Sequence, residues 1–527
     1  MDNTSEIVRR SRGPAAHIIL LLVAVMSTFV LAGAPAQAAT RTTGTKYYVN
    51  CSSGNDSASG LSSSAAWRTL AKVNSVVFKP GDSILFRRGT TCQGVLQPQG
   101  SGTADSPIVI GSYGTGARPV IDGGGARAAV FLHNVQGWEI RDLEITNPAT
   151  RDNNARAGIY VLLDDFGIGK HYKISDVKIH DVPGCDCLQP ELENSGGIVF
   201  KAAGSQVATG FDGVEITRNV ISGVDNVGIG IVSQWSKRDL YPAGTNTFVP
   251  NKNVHIYLNK LTDQGGDGIL VQNGVDPLTE WNIVDGFGLR ASASHAAIVA
   301  FNSDRPVIQY NEITGGSATP PSFSLSVDAG NRDIVYQYNF SHDNDGPFML
   351  FCAFTGSYSD GATIRYNISQ NDKDLLLGTF EIPVVANGCD NGIPNVKFYN
   401  NVIYSPTAKA IVGSRGDHTP IEFTNNIFYG APEGSAIHDA VGVYDHNLYY
   451  NVVVPSNHAN PVIADPNFVN PGSGTGLGSI LGYRLRCGSP AVAAGVAITD
   501  NGGHDIFGVQ VPASGPNIGA YQGPCVS

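Results

Sequence analysis

The chain has 527 residues, of which 42% are hydrophobic and 15% charged, and its formal net charge is −11. Nucleic acid requires a basic protein surface, so this acidic balance argues against a nucleic-acid partner. It also disfavours a strongly anionic substrate, unless a local basic cleft overrides the net charge.

The N-terminus has the three parts of a secretory signal peptide. Arg9, Arg10 and Arg12 precede an apolar run over residues 15–33, and Ala36-Gln37-Ala38 follows as a cleavage site. We therefore predict that residues 1–38 are a signal peptide and that the protein is secreted and extracellular; a retained anchor is the alternative. No later stretch is long enough to span a bilayer, so no membrane partner is expected.

The next predicted element is a short amphipathic helix over residues 64–74, around Trp67. It precedes the first clear strand, which contains Ile84, Leu85 and Phe86. A helix in this position would cover the open end of the first coil of a repeat structure. We therefore predict an N-terminal cap.

A short pattern then recurs along the chain: an Asn or Asp, any residue, and usually an apolar residue, within a strand of period 2. The shortest spacing, 21 residues, fits one coil of three short strands and three turns, and longer spacings add loops. Stacked coils bury a continuous core, and stacked Asn side chains hydrogen-bond as a ladder, so we assign these residues a structural role. They are Asp142, Asp176, Asn219, Asn259, Asn282, Asn311, Asn339, Asn367, Asn401, Asn426 and Asn447.

This repeat predicts an all-β fold, a parallel β-helix with a coil for each of the eleven instances or more, over residues 39–451 including the N-terminal cap. After Asn451 the repeat disappears and the chain becomes rich in Gly and Pro. Residues 452–527 are therefore predicted to form an irregular C-terminal capping segment. Capped ends favour a monomer.

All eight cysteines follow the predicted cleavage site, which indicates disulfides in an exported protein. Sequence order suggests three local pairs: Cys51 with Cys92, Cys352 with Cys389, and Cys487 with Cys525. Cys185 and Cys187 remain. They either bridge each other, which we favour, or act as metal ligands together with His180, Glu191 and Glu193.

Three further stretches carry characteristic sequences. Tyr47-Tyr-Val-Asn, Trp67-Arg-Thr-Leu and Pro80-Gly-Asp-Ser lie near the start, Ile334-Val-Tyr-Gln-Tyr-Asn lies in the middle, and Asp465-Pro-Asn-Phe and Pro516-Asn-Ile-Gly lie near the end. They resemble the pectin-lyase-like superfamily of right-handed parallel β-helix repeat proteins. The resemblance implies a right-handed helix and a carbohydrate-active protein. That superfamily includes hydrolases, lyases, epimerases and binding proteins, so the fold does not select the reaction.

Aligning the coils on their repeat suggests a column of residues at the ends of six strands. It contains Ser233, Asn273, Asn302, Asp328, Cys352 and Glu381. Stacked strands lie about 4.8 Å apart, so Asp328 and Glu381, two coils apart, would be separated by about 10 Å. This is near the upper end of the carboxylate separation in inverting glycosidases.

A second acidic row precedes the same strands. Neighbouring coils would place its carboxylates about 5 Å apart, close enough to raise the pKa of one of them. For each Asp the alternatives are a turn-forming role and a Ca²⁺ site. The row comprises Asp225, Asp267, Asp345 and Asp374, with Asp263, Asp343 and Asp372 nearby. We predict that the catalytic residues come from Asp267, Asp328, Asp345 and Glu381.

Long loops with aromatic residues cluster in the middle coils and suggest a binding groove. Aromatic faces suit sugar rings, His side chains can orient a sugar, and Arg side chains can hold an acidic group. The alternative is that these residues only pack their own loops. The predicted substrate contacts are Trp235, Trp281, His295, His342, Arg290 and Arg305.

These observations favour a glycoside hydrolase that cleaves an extracellular polysaccharide or oligosaccharide with two carboxylates and requires no cofactor, with Ca²⁺ as a possible addition. The first alternative is a Ca²⁺-assisted polysaccharide lyase acting on uronic-acid polymers, which needs a cation and a base. Its candidates are Lys201, Lys260, Arg290, His295 and Arg305. The second alternative is a non-catalytic carbohydrate-binding surface protein. Two acids that converge in the groove would favour the hydrolase. Basic residues that converge beside a Ca²⁺ site would favour the lyase.

Overall fold

The computed structural model describes residues 43–152, 154–186, 195–415 and 418–527. These residues form a right-handed parallel β-helix, as predicted. The predicted signal peptide lies outside these residues. Successive coils contribute one strand each to three long parallel sheets. Alternate side chains point into the helix, which explains the period-2 pattern of the sequence.

The first sheet contains sixteen strands in the described part of the chain: Lys46–Val49, Ser83–Arg87, Ile108–Tyr113, Trp138–Arg141, Ile168–Ser175, Gly210–Thr217, Asn251–Tyr257, Gly274–Val275, Leu278–Glu280, Val307–Gln309, Arg332–Gln337, Asp360–Arg365, Val396–Tyr399, Ile421–Thr424, Val443–Asp445 and His458–Ala459. The second sheet contains Thr91–Gln93, Val120–Asp122, Glu144–Thr146, Lys178–Val182, Val220–Val224, Lys260–Gln264, Ile283–Phe287, Glu312–Gly316, Phe340–His342, Ile368–Gln370, Val402–Tyr404, Ile427–Tyr429, Leu448–Tyr450 and Val462–Ile463. The third sheet contains Ala128–His133, Ala157–Asp164, Gly196–Ala203, Val227–Ser233, Ile269–Gln272, Ala296–Phe301, Phe323–Val327, Met349–Phe351, Val385–Asn387, Ala410–Ser414 and Ala436–His438.

The N-terminal cap contains two short helices, a 3₁₀ turn at Ser63–Ala65 and an α-helix at Leu70–Asn74. The prediction of one helix over residues 64–74 is therefore wrong in its extent. The interruption arises because Trp67 forms a parallel bridge with Val49, which requires extended backbone. Leu70 and Val73 are buried, so the helix does cover the first coil.

The predicted asparagine ladder runs from Asn219 to Asn447. Each side-chain amide donates a hydrogen bond of 2.9–3.1 Å to the side-chain oxygen of the next ladder residue. All nine residues are almost completely buried. The residue before each ladder Asn has a φ between 51° and 59°, in the left-handed region. The ladder therefore fixes the sharp corner between the first and second sheets.

Asp142 and Asp176 do not belong to this ladder, contrary to the prediction. Both have positive φ, 58° and 57°, and occupy the corner position before it. The ladder position in the second of these coils belongs to Val177, whose backbone N–H donates to the Asn219 side chain at 3.0 Å. Asp tolerates left-handed backbone nearly as well as Asn, which explains the shift of one residue.

The C-terminal segment does more than close the last coil. Its strands His458–Ala459 and Val462–Ile463 extend the first and second sheets. The following residues, including the 3₁₀ helix Leu477–Tyr483, pack along the outer face of the second sheet against Phe340, Ile368 and Val402. The outer face of the second sheet is therefore covered along these coils.

Three predicted disulfides are confirmed: Cys51–Cys92, Cys352–Cys389 and Cys487–Cys525. Cys185 is also disulfide-bonded, whereas Cys187, Glu191 and Glu193 lie outside the described residues. His180 contacts Asp181 and Glu144. No helix in the described ranges is both long and apolar enough to cross a membrane.

Candidate active site

Loops at both ends of its strands border the outer face of the third sheet, and we refer to this bordered face as the groove. Its outward side chains form an apolar cluster separate from the core inside the helix, including Val199, Leu270 and Val299. Loops that leave the strands pack over one edge of this face, where Tyr241 and Phe354 contact Phe301 with ring centroids 5.0 and 6.2 Å away. Loops that enter the strands form the other edge.

An acidic cluster centred on His295 lies on the edge where the strands begin. His295 Nδ1 is 3.1 Å from Asp267 Oδ1, and His295 Nε2 is 3.2 Å from Asp186 Oδ1. Asp267 Oδ1 also accepts a hydrogen bond of 2.7 Å from the backbone N–H of Ala296. The imidazole thus connects two carboxylates, and all three side chains are at most 17% exposed.

Asp186 is held as a carboxylate. Burial alone would raise its pKa, but hydrogen bonds from His295 and Ser292 outweigh burial and lower the pKa to about 2. The Ser292 backbone N–H and hydroxyl both donate to Asp186 Oδ2 at 2.6 Å. An ionised Asp186 fixes the orientation of His295 and therefore of the groups around Asp267.

Asp328 lies at the other end of a strand, two coils further along the sheet. It directly follows the strand Phe323–Val327. Because Val327 pairs with Ala300, Asp328 lies beside Phe301 on the outer face. Burial raises the pKa of Asp328 to about 7, and the negative charge of Asp267 acts in the same direction. Asp328 is therefore a carboxylic acid that can carry a proton near neutral pH.

This register corrects the alignment made from sequence. The sequence alignment places Asp328 beside Asn302, whereas in the structure it lies beside Phe301. A shift of one residue exchanges the two faces of a strand. The same alignment placed Glu381 in that column, which is wrong. Glu381 lies in an antiparallel hairpin, Leu375–Leu377 with Phe380–Ile382, that departs from the sheet. The equivalent strand of that coil is Val385–Asn387.

Arg290 and Asp345 lie on the same edge of the groove as His295, and both are engaged in ion pairs. Arg290 Nε is 2.6 Å from Asp225 Oδ1, and the guanidinium also contacts Asp263. Arg290 thereby fixes the start of the loop that carries His295. Asp345, predicted as a catalytic residue, pairs with Lys373 at 2.6 Å and is 65% exposed.

Two residues predicted to bind substrate lie away from the groove, contrary to the prediction. Trp281 occupies the corner between the first and second sheets, where it stacks on Tyr310 at 4.4 Å. His342 belongs to the second sheet and contacts Asp343 and Glu312. Both residues stabilise the outer surface of the helix, and sequence alone does not separate this corner from the loops of the groove.

The remaining two predicted contacts have structural partners. Trp235 is 6% exposed, belongs to the hydrophobic core, and donates to the backbone oxygen of Ala203 at 3.0 Å. It packs its own loop, as the alternative interpretation held. Arg305 pairs with Asp276 at 2.7 Å on the exposed surface. Neither residue presents an apolar face or a free cation to the groove.

Two of the basic residues considered for a lyase lie on different sheets. Lys201 lies on the third sheet, in the strand Gly196–Ala203, whereas Lys260 begins a strand of the second sheet. Among the described residues, no group of three or more His, Cys, Asp or Glu side chains is arranged to hold a metal ion.

Sequence reasoning missed Asp186 and the aromatic residues at the first coils of the groove. Asp186 lies between Cys185 and Cys187, whose pattern indicates a disulfide and not an acidic site. Tyr160 stacks on Phe131 at 5.5 Å, and Arg127 lies 4.9 Å from its ring. Their position in paired strands of the third sheet is a signal that coil alignment could have revealed.

Comparison with known proteins supports a relation to carbohydrate-active β-helices. No protein-family model matches the sequence. A lacto-N-biosidase of Bifidobacterium longum subsp. longum is 26% identical over 616 residues, covering 93% of this chain and 37% of that protein. The chain thus spans little more than a third of the length of the curated relative it matches.

Two solved structures share the fold. The GH136 lacto-N-biosidase from Eubacterium ramulus has a TM-score of 0.58 and 21% identity, with 80% of this chain and 67% of that chain covered. XylC in complex with xylose has a TM-score of 0.53 and 13% identity, with 91% and 98% covered. These structures confirm the fold class.

Proposed function

We propose that the protein is a secreted glycoside hydrolase that cleaves an oligosaccharide bound in the groove of the third sheet. The observation that carries this proposal is the arrangement of Asp328, whose pKa is raised to about 7, within the electrostatic influence of Asp267. One group that holds a proton near neutral pH and a second carboxyl group positioned by hydrogen bonds are what glycosidic hydrolysis requires.

In this mechanism Asp328 is the general acid. It donates its proton to the glycosidic oxygen as the bond from that oxygen to the anomeric carbon breaks. Asp267 is the general base. It removes a proton from the water whose oxygen forms the new bond to the anomeric carbon, so the configuration inverts. His295 and the Ala296 N–H hold Asp267 in place, and Asp186 holds His295. His295 and Asp186 are therefore positioning residues.

The relative supplies a candidate substrate. Lacto-N-biosidase is named for its action on lacto-N-biose units. A chromogenic nitrophenyl lacto-N-bioside is therefore the first compound to test, followed by a polysaccharide panel with and without EDTA. Release of nitrophenol or of new reducing ends, without absorbance at 235 nm, is the expected result. Absorbance at 235 nm that disappears with EDTA would instead indicate the Ca²⁺-assisted lyase.

Two substitutions test the assigned roles. Asp328→Asn and Asp267→Asn should each lower kcat by about 10³-fold, because each removes one partner in proton transfer. Asp105→Asn, at an exposed position in an N-terminal loop, is the control and should retain full activity. Activity that survives both substitutions in the groove would refute the proposed pair. Nuclear magnetic resonance of the first-formed product should show the inverted anomer.

A further inference from the structure

A second feature of the groove lies beyond Asp328, where the hairpin Leu375–Leu377 with Phe380–Ile382 rises from the rim. Phe380, on this hairpin, is a large apolar side chain that is 50% exposed. Exposed apolar residues beside a cavity are typical of a binding site. The hairpin is also an insertion, because the coil is completed by Val385–Asn387 without it.

The hairpin and the third sheet enclose a cavity of about 180 Å³. Its floor is apolar, with Phe323, Ile382 and Ala386 packed together. At its rim, Glu381 Oε2 and His438 Nδ1 are 2.6 Å apart. An apolar cavity with a few convergent polar groups is the usual form of a small-ligand site.

The charges at this cavity favour an uncharged ligand. Glu381 is paired with His438, and Arg415 lies 3.8 Å from Asp390 and over the ring of Phe380. A sugar ring matches these surroundings, because one of its faces is apolar and its edge carries hydroxyl groups. Phe380 can contact the apolar face, and the Glu381–His438 pair can accept and donate hydrogen bonds to hydroxyls.

The cavity continues the groove that contains Asp328. Ser326, two residues before Asp328, pairs with Leu350, which pairs with Ala386 of the cavity floor. Two coils separate Ser326 from Ala386, or about 10 Å. A ligand bound in the cavity and a bond cleaved beside Asp328 therefore belong to one extended molecule.

We propose that this cavity is a second saccharide-binding subsite, which holds a neutral sugar residue of the substrate about 10 Å from Asp328 along the sheet. The proposal deepens the proposed function and rests on it for the identity of the substrate. Glu381, predicted from sequence as a catalytic residue, is here a substrate contact. The subsite makes the enzyme selective for oligosaccharides long enough to reach the hairpin.

Isothermal titration in the Asp328→Asn background, where cleavage is blocked, tests the subsite directly. The probes are lacto-N-biose and a neutral tetrasaccharide ending in lacto-N-biose. Phe380→Ala and Glu381→Gln should each weaken binding of the tetrasaccharide by about tenfold and change binding of the disaccharide less than about twofold. Leu376→Ala, at an exposed hairpin position that does not line the cavity, is the matched control and should change neither affinity.

The outcomes separate this proposal from the proposed function. If the wild type hydrolyses none of the test compounds but Phe380→Ala still weakens tetrasaccharide binding, the hydrolase is refuted and the subsite stands. If hydrolysis occurs but neither hairpin variant alters tetrasaccharide affinity or KM, the subsite is refuted. Absence of binding by both probes, or equal weakening by Leu376→Ala, would also overturn it. Circular dichroism confirms that each variant remains folded.

Discussion

Replacing Asp328 by Asn is expected to stabilise the protein at alkaline pH and not at acidic pH. In the folded protein burial raises the pKa of Asp328 from 3.8 to about 7, so the folded state holds this proton more tightly than the unfolded chain. The free energy of unfolding therefore falls as pH rises from about 4 to about 7, and it is constant with respect to this group above that range. Asn has no proton to lose and removes this dependence.

The magnitude follows from the difference between the two pKa values. Each pKa unit corresponds to about 1.4 kcal/mol, so ionisation of Asp328 costs the folded state about 4 kcal/mol. Asp328 is partly exposed, and solvent screening reduces the expected effect to about 2 kcal/mol. The sign is opposite to that of most salt-bridged carboxylates, whose pKa is lowered by folding.

Urea-induced unfolding of the wild type and Asp328→Asn, followed by fluorescence at pH 4 and pH 8, measures this effect. The variant should match the wild type at pH 4 and exceed it by about 2 kcal/mol at pH 8. Asp105→Asn, the exposed control, should show the same stability difference from the wild type at both values. An Asp328→Asn difference that does not change with pH would refute the burial argument.

Three other predictions follow from the site and the fold. Because Asp328 must carry a proton to act as an acid, kcat/KM of the wild type should fall as pH rises through about 7; a rate constant at pH 9 equal to that at pH 6 would contradict this role. Asn311→Ala removes hydrogen bonds to Thr279 and Asn339 and should lower the free energy of unfolding by about 3 kcal/mol in urea titrations. Ala at the exposed Gln93 is its control, and equal losses would count against the ladder. Cys487→Ser opens a disulfide with a sequence separation of 38 and should cost about 4 kcal/mol, seen as a lower thermal midpoint; an unchanged midpoint would show that the C-terminal segment is held by packing alone.

The fold could be predicted because one residue in each coil repeats with a fixed chemical role. A buried Asn amide that must donate to one neighbour and accept from another tolerates few substitutes, so Asn recurs whatever the length of the intervening loops. Asp142 and Asp176 were included wrongly because Asp also favours the left-handed corner next to the ladder. An Asn or Asp in this pattern can reflect either the ladder hydrogen bond or the left-handed corner before it, and the sequence alone does not distinguish the two positions.

The site was predicted only in part, because side-chain neighbours across coils depend on an exact register. Asp267, His295 and Asp328 each lie at or near an end of a buried strand of the third sheet, as the sequence alignment indicates, and their catalytic or substrate-binding roles stay predictions. Glu381 was misplaced because the hairpin insertion is indistinguishable in sequence from a strand of the sheet. Trp281 stacks on Tyr310, which is 29 residues away in sequence and lies in the next coil. This contact is not visible in the sequence, where Trp281 is indistinguishable from an aromatic residue of the groove loops.

The asparagine ladder also makes each coil an interchangeable module. Its hydrogen bonds keep the same length although the ladder residues they join are separated by 21 to 40 residues in sequence. Recombination between equivalent ladder positions, such as Asn311 and Asn339, would remove or duplicate 28 residues and still leave every neighbour with a matching partner. Groove length can then change in steps of one coil, about 4.8 Å, while the surrounding architecture is inherited intact. In such a protein, the length of the substrate-binding face can evolve through gain or loss of whole coils, without any change to the residues around Asp328.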